Sequence, residues 1–298
     1  MKPATEHPRS IQVAAVSFSP GKFAINDNAD RLECLFRQAG ESGAQLALAP
    51  EGSLDGIVAM GVLTGEWPAS RALDAALTID SDVIKRFQTL AAGLSLCLAF
   101  GFAERIGGEI YNTAVLIDDQ GGIRGKYHKM ALAEGYHDSW WFNRVGRHSR
   151  PIDTPFGPCG FMICYDRWDP RAARIPVLGG ARFLLVPTYG NRSDHNDRQV
   201  LARASEVGVP LVQANGSGAA VIISGGRIVK RHLSPTENAD PGTVTMATID
   251  LPQASNLDQQ AQAELSSEYV AWRDAHMRAR FIDRRAEYME QWGGTRKA

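Results

Sequence analysis

Cysteine is scarce: four residues in 298, at Cys34, Cys97, Cys159 and Cys164. No two form a CxxC pair and none joins histidines at zinc spacing, so no disulfide framework, metal site or cofactor is implied. Few cysteines in apolar surroundings, as around Cys34 and Cys97, fit a reducing, cytoplasmic compartment. Excess charge is also missing. Lys and Arg total 32 against 33 Asp and Glu, a net charge of −1, which offers no basic surface to nucleic acid or to an anionic membrane. No apolar run approaches the roughly 20 residues of a membrane span. Met1 to Ser10 lacks the apolar stretch of a signal peptide. No segment is rich enough in Pro, Gly or Ser to act as a linker, and no internal repeat is found. Gly179-Gly180 and Gly225-Gly226 read as turns, not phosphate loops. The expectation is one domain over residues 1–298, with a core at about 11–252 and a helical tail at 253–298.

What is present is the composition of a globular protein, 44% hydrophobic and 22% charged. The apolar pattern alternates between strand and helix. Strands are predicted at 11–18, 44–50, 94–101, 111–118, 160–163, 183–187, 210–215, 220–224 and 244–251, with a hairpin partner at 123–128. Helices are predicted at 28–40, 81–93, 171–180 and 197–208. Nearly continuous apolar strands such as Ala44-Gln-Leu-Ala-Leu-Ala-Pro50 suit a sheet covered on both faces. The alternation argues a layered α/β sandwich. Beyond it, residues 256–292 have helical spacing and carry Trp272, Phe281, Tyr288 and Trp292. Those rings need a partner surface. A subunit interface is the reading adopted, with packing on the chain's own core as the alternative.

The stretch Gly157-Pro-Cys-Gly-Phe-Met-Ile-Cys-Tyr-Asp-Arg-Trp-Asp169 stands at the centre of the argument. Phe161 to Ile163 reads as a buried strand, Cys164 sits where it stops, and a helix is predicted from Arg171. A thiol near a helix N-terminus is biased toward thiolate, and the free N–H groups there can hold an oxyanion. The same position also suits an inert core thiol. Three charged residues stand at similar strand ends: Glu51 after Pro50, Lys129 after the hairpin strand, and Glu134 shortly beyond. Singly, each is an ordinary surface charge. Together they make a thiol, a carboxylate base, a cation for an oxyanion and a second carboxylate, the parts of a nucleophilic hydrolase.

Pro50-Glu51, Lys126-Tyr-His-Lys129 and Cys164-Tyr-Asp166 resemble the three signatures of the nitrilase-type carbon–nitrogen hydrolases. Further matches, in order, are Gly101-Phe-Ala-Glu104, Tyr111-Asn-Thr113, Asp153-Thr-Pro-Phe-Gly157, Arg203 to Glu206, Asn215 and Asp283-Arg-Arg-Ala-Glu-Tyr288. The resemblance runs from Ile11 to about Tyr288. It implies a four-layer αββα sandwich that pairs into a homodimer or higher homo-oligomer. It carries a Glu–Lys–Cys triad onto Glu51, Lys129 and Cys164, and the family's second glutamate onto Glu134. The oxyanion would lie between Lys129 and the backbone N–H of Tyr165.

The implied activity is hydrolysis of a small amide through a cysteine thioester, releasing ammonia and a carboxylic acid. Cys164-Tyr165-Asp166 has the amidase and carbamoylase form, not the Cys-Trp-Glu or Cys-Gly-Glu of true nitrilases. Carbamoyl amino acid hydrolases of this family carry two arginines after the Asp. Here Arg167 stands alone and Trp168 takes the second place, with Arg171 and Arg192 left as possible substitutes. An N-carbamoyl amino acid or ureidopropionase-like substrate is therefore the alternative; a nitrilase and a non-catalytic binding protein are further ones. The aromatic run Tyr136 to Phe142, with Tyr136, Trp140 and Trp141, is read either as core or as the wall of an acyl pocket. Tyr189 is a second candidate wall.

Overall fold

The computed structural model describes residues 7–190, 192–235, 241–253 and 257–283, and only the backbone of 282 and 283. Two sheets form its middle. The first has the order β11-β1-β2-β3-β4-β5. Its strands are β1 (Ser10–Ser17), β2 (Leu46–Leu48), β3 (Cys97–Ile106), β4 (Glu109–Ile117), β5 (Ile123–His128) and β11 (Thr243–Asp250). The second, β10-β9-β8-β7-β6, is built from β6 (Cys159–Phe161), β7 (Phe183–Thr188), β8 (Leu211–Asn215), β9 (Ala219–Ser224) and β10 (Arg227–Leu233). Each sheet has a parallel centre, β1-β2-β3 and β6-β7-β8, flanked by antiparallel strands.

The period-two pattern of β1 explains the layering. Ile11, Val13 and Ala15 enter the core between the sheets, whereas Ala14 and Val16 face a second core under α1 (Ile25–Glu41) and α4 (Asp82–Leu94). In that second core Phe87 of α4 meets Phe100 of β3 at 4.8 Å and Phe36 of α1 at 6.0 Å. Each such ring, fully buried, contributes about 1.5–3 kcal/mol. The far face of the second sheet is covered by α5 (Pro170–Leu178) and α6 (Asp194–Val207). The result is the αββα sandwich that the family resemblance implied, and a layered α/β sandwich as the alternation of strand and helix argued. Gly225 and Gly226, at φ +56° and +72°, turn the hairpin between β9 and β10 as expected. The strand β10 and the short helices α2 (Val58–Leu63) and α3 (Ala72–Ala75) carry no clear sequence period and were not anticipated.

The tail is helical, as its spacing predicted. Its described part is α7 (Gln259–Asp283), which lies on its own chain. Tyr269, Arg273, Met277 and Phe281 are buried there. The Met277 carbonyl accepts from Tyr136 N at 3.1 Å, and Arg280 Nε donates to the Ala133 carbonyl at 3.0 Å. Of the four rings read from the sequence, Phe281 thus packs on the chain's own core. Trp272 stays exposed, stacked between Tyr269 and His276. Tyr288, Trp292 and most of the closing Asp283-to-Tyr288 match lie outside the described residues. Cys34 is exposed on α1, not set in apolar surroundings. Among the described residues no helix is long and apolar enough to cross a membrane.

Candidate active site

The site forms where strands of both sheets end. Glu51 follows β2, Lys129 follows β5 and Cys164 follows β6. Because β4 and β5 are successive antiparallel partners of β3, β5 runs in the same direction as β2 and delivers Lys129 to the same edge as Glu51. Gly101 makes the approach possible. A Cβ there would stand 2.7 Å from Glu51 Cα and 2.9 Å from the Pro50 carbonyl oxygen, so only glycine lets β3 pass beneath the Glu51 turn.

Lys129 Nζ donates to Glu51 Oε1 at 2.7 Å, and Asn112 Nδ2 donates to the same oxygen at 2.8 Å. Both ions are buried. Burial opposes the Lys129 ammonium, but Glu51, with Cys164 and Glu134 behind it, holds its pKa well above the ordinary lysine value. Glu134 is also buried, and its carboxylate accepts from Asn143 Nδ2. Burial raises the Glu134 pKa, and the Lys129 charge only partly offsets this. Gly135, at φ +91°, lets this loop sit against α7, since a Cβ there would meet the Met277 carbonyl oxygen at 2.8 Å.

Cys164 occupies a left-handed backbone conformation, φ +47°, rare for a residue with a side chain. Its Sγ donates to the Tyr189 carbonyl at 3.4 Å. The helix expected from Arg171 is present, but it begins only after a separate turn. Residues Cys164–Trp168 form a 3-10 turn, and α5 starts at Pro170, capped by Asp169, whose Oδ1 accepts from Arg171 N at 2.9 Å. The thiolate bias argued from a helix terminus is therefore absent. Burial, and next the Glu51 charge, raise the Cys164 pKa more than Lys129 and Arg167 lower it. The resting group is a thiol beside a carboxylate.

Asp166 ties the pieces together. Its carboxylate accepts from Ile163 N (2.9 Å), Ala131 N (2.7 Å) and Tyr127 Oη (2.8 Å), joining the Cys164 turn to the Lys129 loop. Glu104 does a similar service behind β5. Buried, it accepts from Thr113 Oγ1 at 3.0 Å, pairs with His128 Nε2 at 2.9 Å, and contacts Lys126 Nζ. Burial alone would raise its pKa, but His128 and Lys126 outweigh that and hold it below the ordinary glutamate value. A carboxyl lowered in this way contributes stability that is present above its unfolded pKa, about 4.3, and lost as pH falls through the lower folded value. Glu104→Gln is thus expected to flatten the acid limb of the stability curve below about pH 4. Thermal melts of both proteins over that range check this; parallel acid limbs would show no such linkage.

The substrate-contact residues expected from sequence fare unevenly. Trp140 has no exposed surface and is enclosed by Tyr136, Phe142 and Phe281, so it is a core residue and not a pocket wall. Tyr136 is buried too, with its Oη accepting from Arg144 Nη1 at 2.9 Å. Trp141 is half-buried against Phe142. Tyr189 stands beside Cys164, and Trp168 is half-buried with its ring tilted against His195. The Tyr165 ring lies under the Arg280 guanidinium. Arg167 is 2% exposed and donates from Nη1 to the Cys164 carbonyl at 2.5 Å. Arg171 is held bidentately by Asp169, and Arg192 donates to the Ser217 and Ser234 carbonyls.

Sequence reasoning assigned no role to the amides that hold the two glutamates. Asn112 stood in the quoted Tyr111-Asn-Thr113 match; Asn143 gave no signal. Both line a recess beside Glu51 together with Gly52, Asp55, Ile57 and Phe102, enclosing about 290 Å³ of empty space, open solvent included. Asp55 is buried there, its pKa raised to about 6 by burial against four backbone hydrogen bonds.

A thiol, a carboxylate and an ammonium thus stand at strand ends of an αββα sandwich. The chain belongs to the carbon–nitrogen hydrolase family, whose sequence model matches residues 12–259. It is 31% identical to a citrullinase of Francisella tularensis subsp. tularensis over 221 residues, covering 69% of this chain and 74% of that protein. It is 30% identical to an N-carbamoylputrescine amidase of Oryza sativa subsp. japonica over 224 residues, 70% and 71% of the two chains. Among solved structures, an amidase from Nesterenkonia sp. superposes with a TM-score of 0.66 at 23% identity, over 87% of this chain and 96% of that one. The C. elegans NitFhit protein gives 0.68 at 19% identity; the match takes in 90% of this chain but only 64% of that longer one. The chain is thus a hydrolase acting on carbon–nitrogen bonds other than peptide bonds.

Proposed function

We propose that the protein hydrolyses a small uncharged carboxamide through a thioester on Cys164. The observation that supports this is the buried Glu51–Lys129 salt bridge, 2.7 Å long, whose two charges act on the Cys164 thiol. Glu51 takes the thiol proton as the sulfur attacks the amide carbonyl. The oxyanion is received by Lys129 and the N–H of Tyr165, a role a fixed ammonium in a dry site fills at no reorganisation cost. Collapse expels ammonia, protonated from Glu51, and leaves the thioester. Glu51 then deprotonates a water, which hydrolyses the thioester to the carboxylic acid and restores the thiol. Glu134, fixed by Asn143, orients Lys129 and the substrate nitrogen. No cofactor or metal takes part in this scheme.

The preference for an uncharged substrate rests on the arginines. Arg167, Arg171 and Arg192 are each engaged by a backbone carbonyl or by Asp169. A substrate carboxylate entering beside Trp168 would find Arg171 already paired with Asp169 and Arg167 closed to solvent and turned to the Cys164 carbonyl, and burying an under-paired charge costs several kcal/mol. One observation favours a second reading. Two of the relatives above, the citrullinase and the N-carbamoylputrescine amidase, are named for ureido compounds, so a carbamoyl group is the other candidate for the acyl end. Ammonia release from neutral carboxamides, N-carbamoyl amino acids and N-carbamoyl amines, measured side by side at one pH with carbon dioxide monitored, separates the two. The expected result is a higher kcat/KM for the carboxamide, without carbon dioxide. Faster turnover of a carbamoyl compound with stoichiometric carbon dioxide replaces the first reading by the second.

A further inference from the structure

Arg167 presents a physical problem. Its residue is 2% exposed, yet it forms no ion pair with any described Asp or Glu, and its Nε has no hydrogen-bond partner among the described residues. An unpaired buried cation is costly and persists only where something compensates it. Lys129, the neighbouring cation, is already neutralised by Glu51. What Arg167 does touch is the Cys164 carbonyl, at 2.5 Å from Nη1, with its guanidinium 5.4 Å from the Trp168 ring centre. Cys164 and Arg167 open and nearly close the same 3-10 turn, and Cys164 holds φ +47° within it. A non-glycine residue in that region carries strain of order 1 kcal/mol or more and is kept there by its surroundings.

We propose that Arg167 is a positioning residue for the nucleophile: it pins the Cys164 carbonyl, and with it the left-handed turn, and it is the waiting counterion of the Cys164 thiolate. The buried cation acquires its partner only when the thiol ionises. This explains why an arginine is retained at a position closed to solvent. The charges that act on Cys164 agree. Burial and Glu51 oppose ionisation, Lys129 and Arg167 favour it, and the Tyr189 carbonyl accepts the S–H. Lys129 acts on the thiol more strongly than Arg167, and Arg167 adds a second cation that no described carboxylate holds. The inference rests on Cys164 being the nucleophile.

The test is alkylation of Cys164 by iodoacetamide across about pH 6 to 10, read by peptide mapping because Cys34 is exposed and will also react. Wild type is compared with Arg167→Met, which removes the charge at similar volume, and Arg167→Lys, which keeps it. In Arg167→Met the alkylation midpoint is expected to rise by about one pH unit, and the rate near pH 7 to fall about tenfold. In Arg167→Lys the midpoint should stay within about half a unit of wild type. An unchanged profile in Arg167→Met overturns the proposal. So does unchanged alkylation with KM raised only for carboxylate-bearing substrates, which would make Arg167 a substrate ligand. If Arg167→Met does not fold, Arg167→Lys decides alone, and a midpoint shift of about a full unit refutes the charge role. Turnover surviving in Cys164→Ala would remove the nucleophile assignment while leaving the alkylation profiles readable.

Discussion

Cys164→Ala is expected to lose turnover by about 10⁴-fold or more, the scale on which removal of a covalent nucleophile acts. The fold should survive. Cys164 lies on a turn at the edge of the core with some exposure, and alanine adopts φ +47° no worse than cysteine does. The melting transition should therefore move little, within about 1 kcal/mol. Cys159 supplies the contrast. It is fully buried on β6, and burial raises its thiol pKa far above the ordinary range, so it cannot ionise at working pH. Cys159→Ala removes a sulfur from the core and costs about 1 kcal/mol of stability, yet it should leave kcat/KM near wild type. Initial rates of ammonia release, with thermal melts of both variants, make the comparison. An inactive but folded Cys159→Ala beside an active Cys164→Ala would place the nucleophile wrongly here.

Glu51→Gln is the second large effect. One carboxylate is assigned both proton transfers, so the variant should form no thioester and hydrolyse none. Losing a general base in each half-reaction lowers turnover by about 10³-fold, within the usual range for such groups. Gln can keep the bonds to Asn112 and Lys129, but not the charge. The Lys129 ammonium then sits buried without its direct partner, with Glu134 and Asp166 acting on it from further off, at a cost of about 3 kcal/mol. Intact-protein mass after mixing with an amide reads the acyl-enzyme directly. Thioester accumulation at the wild-type rate in Glu51→Gln would assign acylation to another base, with Glu134 the nearest one, since its carboxyl acts on the same lysine.

Much of the fold was legible because the sheets alternate so regularly. The strand β1 sends Ile11, Val13 and Ala15 to one core and Ala14 and Val16 to another, and a period of two is visible in sequence alone. The strand β10 was not legible. It pairs only with β9, and its pattern is mostly exposed and charged, Arg227-Ile-Val-Lys-Arg-His-Leu233, so no apolar period marks it. The helices α2 and α3 are too short to show one.

The sequence by itself determined the chemical parts and their order. Each candidate group follows a strand, apolar before Glu51 and Cys164 and a hairpin strand before Lys129. That information is local, written in residue type and spacing. Tertiary structure decided what each remaining side chain is for. Whether Trp140 is wall or core depends on Phe281, more than a hundred positions away in the chain. Whether Arg167 meets a substrate or the Cys164 backbone depends on a turn whose left-handed conformation no local pattern announced. Burial and partnership arise from contacts between distant segments, and a single side chain's pKa or hydrogen bonding follows from those contacts, not from its neighbours in sequence.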